Sequence, residues 1–145
     1  MPYIAALVDR IFVVRWRGGP VVSTELEEIL RTLSDHRKVL GKPLVYLTVI
    51  GPDADVPPED MRPVIDRFAF KVRDLTEYSH VVVEATGFLG AAHRSLITAN
   101  WRRRHEAGFA MLHKVIDEAL RRIATDIKAD PVRLAAEVRA KGLAS

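Results

Sequence analysis

The chain has 145 residues, 48% of them apolar and 28% charged, with 22 Lys and Arg against 19 Asp and Glu. That balance fits one globular domain and excludes a disordered chain. It holds no cysteine, which excludes disulfides, thiolate metal sites and cysteine nucleophiles.

No apolar run approaches the roughly 18 residues of a membrane span. The opening MPYIAALVDR lacks a basic n-region and carries Asp9 too early for a secretory signal, so a cytoplasmic protein is expected. Charge is uneven: residues 87–145 hold eleven Lys and Arg against six Asp and Glu, and residues 1–86 hold eleven against thirteen. Such a bias can mark an anionic partner, although its plainest reading is solvated helix surface.

Tyr3–Val8 and Ile11–Trp16 are rich in β-branched and aromatic residues and are separated only by Asp9 and Arg10. They predict an opening hairpin or one bent strand. Arg17-Gly18-Gly19-Pro20 breaks the run. Thr24 with Glu27 predicts a capping box. Leu26, Ile29, Leu30, Leu33 and Leu40 then share a helical face, with the stem of Arg37 along its edge. Gly41 and Pro43 stop that helix. Leu44–Ile50 (LVYLTVI) reads as a strand covered on both faces.

Residues 51–56 form a polar loop, and Pro57-Pro58 with Glu59 and Asp60 suits a first helical turn. Met61, Val64, Ile65, Phe68, Val72 and Leu75 stripe the second helix, and Pro63 sits early enough to be tolerated. Residues 80–85 (HVVVEA) predict a buried strand, 89–104 a helix, 109–112 a short strand and 114–127 an amphipathic helix. Asp130 caps and Pro131 opens a last short helix that ends at Gly142. Nothing divides the chain. A single domain over residues 1–145 is expected, with a core over about 3–127 and a helical extension over 128–145.

Three local patterns accompany this order: Gly87-Phe88 after a valine-rich strand, Ala92-His93-Arg94-Ser95 in the following helix, and Val115-Ile116-Asp117-Glu118-Ala119-Leu120 near the end. With them, the ββαβαβαβα order resembles the STAS domain, the fold of anti-sigma-factor antagonists and of the cytoplasmic ends of sulfate transporters. More narrowly, it is similar to the soluble single-domain STAS-like proteins of bacteria that are grouped with the lipid-binding CRAL-TRIO fold. The resemblance implies an α/β fold, a mixed sheet with helices packed on it and an extra short C-terminal helix. It also implies a non-enzymatic signalling module that switches protein partners.

Anti-sigma antagonists carry a phosphorylatable Ser or Thr where the central strand meets the second helix. Here that segment is Ile50-Gly51-Pro52-Asp53-Ala54-Asp55-Val56-Pro57-Pro58, without a hydroxyl. Thr48 lies earlier, inside the apolar run. No phosphoryl switch is expected at the usual place. Asp53 and Asp55 could supply permanent negative charge near a helix start, and the plainer reading is an acidic loop.

Catalytic patterns are missing from the sequence. His93 and Ser95 project about 200° apart on a helix and form no nucleophile–base pair. No Gly-x-Ser-x-Gly elbow occurs. None of His36, His80, His93, His105 and His113 pairs at the i, i+4 spacing of a helical metal site, so no metal or other cofactor is expected. His80 and His113 flank strands that could be neighbours, so the two could approach one another. Gly87-Phe88-Leu89-Gly90 could favour a weak anion site or close helix–sheet packing. Arg102-Arg103-Arg104-His105 after Trp101 suits a helix C-terminus or an anionic partner.

The expected partner surface is therefore Asp53, Asp55, Pro58 and Arg62, with Phe88 and His93 facing a groove. Arg94, Arg102, Arg103 and Arg104 are candidate anion or partner contacts. A protein partner is expected, a homodimer is left open, and the scarcity of aromatics among the charges disfavours nucleic acid. The alternative is a carrier of a small molecule or lipid, for which Phe68, Phe70, Phe88, Leu89 and Trp101 would line a cavity.

Overall fold

The computed structural model of the protein describes residues 2–104, 106 and 108–145; His105 lies outside the described residues. Strands β1 (Tyr3–Val8) and β2 (Ile11–Trp16) form the expected hairpin. Asp9 turns it with a φ of 55°, the left-handed conformation that tight hairpins require. Its carboxylate accepts the Arg10 amide at 2.8 Å.

Strands β3 (Leu44–Ile50), β4 (Thr76–Val83) and β5 (Ala110–His113) are then added in chain order, each parallel to the one before. The result is a five-stranded mixed sheet in the order β1-β2-β3-β4-β5. Five helices pack on it: α1 (Ser23–Leu40), α2 (Arg62–Leu75), α3 (Gly87–Arg104), α4 (Ile116–Ile127) and α5 (Pro131–Ala140). The α/β class with a mixed sheet is the one the sequence predicts.

Helices α1, α2 and α3 each cross between parallel neighbours that advance one way across the sheet. A single hand of crossover therefore puts all three on one face. Alternation along the strands sorts the side chains. Val45, Leu47 and Val49 of β3 pack with Leu120 and Ile123 of α4 and Leu134 and Val138 of α5 in one continuous core. On the opposite face, Phe12, Val14 and Tyr46 pack with Ile29, Leu33 and Val72. Val81 and Val83 form a separate cluster with Ile97 and Trp101 of α3. One face is thus sealed by one core and the other by two.

Several boundaries differ from the sequence reading. Helix α1 starts at Ser23 with Val22 at the cap position and no side-chain cap bond, so Thr24 and Glu27 form no capping box. Helix α2 is entered through a 3-10 turn over Glu59–Met61. Strand β4 starts at Thr76, four residues early, because α2 runs straight into it; the Thr76 hydroxyl donates to the Val72 carbonyl at 2.8 Å. Residues 128–145 are no appendage: Leu134, Val138 and Leu143 are buried in the same core as Leu47.

Helix α3 inverts the usual pattern. It buries Gly90, His93 and Asn100 and leaves Phe88 92% exposed. Gly90 is obligatory, because a Cβ there would lie 2.2 Å from the Ala85 carbonyl oxygen. Close packing of helix on strand end accounts for that glycine.

His80 and His113 do meet. Their rings stack, with His80 Nδ1 and His113 Nε2 2.9 Å apart, and His113 Nδ1 lies 3.3 Å from Glu118 Oε1. A carboxylate only accepts, so in the pair of neutral rings His113 donates from Nδ1 and accepts at Nε2 from His80 Nδ1–H. His80 Nε2 is left as a bare, buried lone pair without a partner. Burial, then the neighbouring His113 and Arg122, lowers the His80 pKa to about 4. An unfolded histidine protonates near 6.5, so the unfolded chain takes up the extra proton between these values. Stability is expected to be complete above about pH 6.5 and to fall by roughly 3 kcal/mol as pH drops toward 4. Urea unfolding between pH 5 and 7 checks this. His80→Leu should flatten the slope, and an unchanged slope would assign it to other groups.

Candidate functional site

The two clusters on the α1–α3 face do not meet, and between them lies a cavity of about 190 Å³. Its floor is the sheet: Tyr46, Thr48 and Ile50 of β3, with Ser79 and Val81 of β4. Tyr46 lies opposite Ser79 in the register, and Ser79 lies opposite Ala110. Small residues at Ser79 and Ala110 leave the floor low there. Ile65, Phe68 and Ala69 of α2 form one wall, and Leu96, Ile97 and Trp101 of α3 the other. Trp16 and Phe109 close opposite ends, so five aromatic side chains reach the space.

The polar groups at the cavity are mostly bonded within the protein. Burial raises the Tyr46 hydroxyl well above its usual range, partly offset by a hydrogen bond with Thr48, and holds it neutral. His93 Nε2 lies 2.8 Å from the Ala54 carbonyl oxygen. A carbonyl only accepts, so the proton sits on Nε2. This bond ties α3 to the loop after β3. That loop is pinned again at Gly51, whose amide donates to the Trp16 carbonyl at 3.0 Å; a Cβ at Gly51 would lie 2.7 Å from that oxygen.

A chain of charges bridges α2 and α3 at the rim. Asp66 accepts from Arg103 at 2.8 Å and from Arg104 at 3.0 Å. Arg104 Nε donates to Glu106 at 3.3 Å, and Arg73 donates to the other Glu106 oxygen at 3.3 Å. Arg103 also donates to Asn100 at 3.0 Å. Glu106 is buried and paired on both oxygens, as a buried polar group must be to avoid the cost of lost hydration.

These contacts change the expected sites. Arg104 is largely buried and tied to Asp66 and Glu106, whereas Arg103 pairs with Asp66 and stays exposed. Arg102 is exposed, and Arg94 is half-buried elsewhere on α3. Asp53, Asp55 and Pro58 are exposed, and Arg62 is half-buried beside Glu59. His93 does not share a surface with Phe88: it is buried and bonded to Ala54, while Phe88 projects into solvent. Of the five residues expected to line a cavity, Phe68 and Trp101 do so. Phe70, Phe88 and Leu89 are exposed.

Sequence reading missed Trp16, Tyr46, Thr48, Ser79, Asn100 and Glu106. They come from separate segments and carry no shared spacing; the one available signal was Thr48, a hydroxyl on the otherwise apolar β3. Among the described residues no cluster of three or more His, Asp or Glu is placed to hold a metal ion, and no helix is long and apolar enough to cross a membrane. Comparison with known protein families, curated proteins and solved structures finds no match to the chain.

His93→Ala is expected to lower stability by about 2 kcal/mol, because the buried Ala54 carbonyl loses its donor. His93→Gln, which can donate from the same place, should recover part of the loss. Urea midpoints at constant m-value measure both. A His93→Ala midpoint equal to that of the wild type would remove the His93–Ala54 tie from this description.

Proposed function

We propose that the protein is a non-enzymatic binding module that holds one compact, largely apolar small molecule between the sheet and helices α2 and α3. The cavity carries this reading. Its size decides the ligand class. A dry cavity of about 150 Å³ accepts a benzene-sized molecule, and drug-sized ligands occupy about 300–1,000 Å³. At about 190 Å³ the space suits a single ring or a short branched chain. A long acyl chain would have to extend out through the solvent-facing side of this space, which favours a compact ligand over a lipid.

The lining supports the same class. Trp16, Tyr46, Phe68, Trp101 and Phe109 offer aromatic faces, and Thr48 and Ser79 offer hydroxyls that can orient one polar group. Binding is favoured over turnover because His93 and Glu106 are already committed to internal partners. The strand order and the three helices on one face support the STAS-like resemblance and, through it, a cytoplasmic signalling setting.

A second reading, partner switching, is supported by the loop over residues 51–58. Ala54, Asp55 and Pro57 wall the cavity, while the exposed Asp53 and Pro58 face outward. A protein docking there would sense the state of the cavity through the loop. The two readings then describe one device, in which a small molecule sets the shape of a docking surface.

Trp101 reports on the first reading once Trp16→Phe leaves it as the sole tryptophan. Benzyl alcohol and cyclohexanol are expected to change its emission saturably, and oleate at stoichiometric amounts is not. A one-to-one response to oleate alone would restore the lipid carrier. No saturable response to either ring compound would contradict the compact-ligand reading.

A further inference from the structure

A second opening, of about 610 Å³, lies where the parallel strands end. Pro52 follows β3, Val83 ends β4 with Glu84 and Thr86 after it, and Lys114 follows β5. The carboxyl ends of parallel strands are the usual place for ligands in open α/β sheets. We propose that this cleft binds a phosphate-class oxyanion, free or as the monoester of a small molecule, between Arg94 and Lys114.

The charge balance of the cleft points to an anion. Its two acidic residues are both neutralised by their own arginines. Glu84 accepts from Arg15 at 2.9 Å and from the Ser145 amide at 2.8 Å. Asp117 meets Arg139 in a two-point pair at 3.0 and 3.0 Å, and that contact holds its carboxyl below the usual carboxylate range. Arg94 and Lys114 line the same cleft, and neither has an ion pair or hydrogen bond among the described residues. The Ser145 main-chain oxygen, also in the cleft, accepts from Arg139 at 3.0 Å, so the side chains of Arg94 and Lys114 are the basic groups left without an acidic partner.

Arg94 is also partly confined. It is half-buried, and its side chain folds back along α3, as long helical side chains do. Its Nη1 lies 3.2 Å from the position a Cβ on Gly90 would take, on the far side of which is the Ala85 carbonyl. The missing side chain at Gly90 leaves the room in which the guanidinium lies, beside the strand–helix turn. A guanidinium fork held ready loses less freedom on binding than a mobile one. The planar fork of Arg94 with the point charge of Lys114 suits a tetrahedral dianion better than a single carboxylate.

This site is separate from the inner cavity. Neither Arg94 nor Lys114 lines that space, although β4, the 51–58 loop and α3 each border both, through Val81 and Val83, Ala54 and Pro52, and His93 and Arg94.

The test is an amide NMR titration of the full chain with inorganic phosphate and with glycerol 3-phosphate, at constant ionic strength, with chloride as the control. Saturable shifts centred on residues 84–87 and 114–117 are expected. Arg94→Gln and Lys114→Gln should each weaken binding by about tenfold, the size of one lost charge-assisted hydrogen bond. Arg94→Lys, which keeps the charge and loses the fork, should fall between. Thermal midpoints identify any variant that loses affinity by misfolding. Tighter binding of the ester would assign a small-molecule monoester, and equal or tighter binding of phosphate would assign the free ion. Shifts no different from those with chloride would overturn the proposal. So would affinity unchanged in folded Arg94→Gln and Lys114→Gln.

Discussion

The structure depends on one constraint: β3 is paired parallel on both sides, and every strand after it is added in the same direction. A parallel pair cannot be closed by a tight turn, so each addition needs a helical crossover. Because crossovers share one hand, α1, α2 and α3 are all laid on one face. The opposite face would be bare, and only α4 and α5, after the last strand, are left to cover it. Ile116, Leu120 and Ile123 of α4, with Leu134 and Val138 of α5, are buried there. Each such side chain contributes about 1.5–3 kcal/mol on burial.

The crowded face does not close in the same way. Between α2 and α3 the floor drops at Ser79 and Thr48, and the helices are joined by Asp66, Arg103, Arg104, Glu106 and Arg73 instead of by apolar side chains. Closed and dry, a void of 190 Å³ would cost about 4–5 kcal/mol at the volume cost of buried cavities. That is comparable with the whole stability of many domains, about 5–15 kcal/mol. A chain that seals its other face with one continuous core gives up part of that packing here, where the space opens toward solvent between the half-exposed Ile65, Ala69 and Leu96. An occupant would recover it, which is the energetic case for a binding site.

Most of the fold was legible because its signals are local. Tyr3–Val8, Ile11–Trp16 and Leu44–Ile50 are strands with the bounds that their composition indicates. The start of β4 was obscured because Thr76, Glu77 and Ser79 interrupt the apolar run, and pairing with β3 overrides that local polarity. Helix α3 misled in another way. Its buried residues are Gly90, His93 and Asn100 while its most apolar one, Phe88, is exposed, so periodicity could not say which side faces the sheet. The site was least legible. Phe68 and Trp101 were within reach of pattern reading, whereas Ser79 and Glu106 gain meaning only once the sheet register and the α2–α3 contacts exist.

The central claim is that the space under α2 and α3 is vacant volume and not tightly packed interior. Ala69, on the inner side of α2, faces it, so Ala69→Leu measures the room directly by equilibrium urea unfolding. If the cavity is there, the larger side chain fills it: stability should hold or rise by about 1 kcal/mol, and the response of Trp101 to ring compounds should be lost. In a packed core the same change would overpack the site, and a loss of about 1–3 kcal/mol would contradict the account.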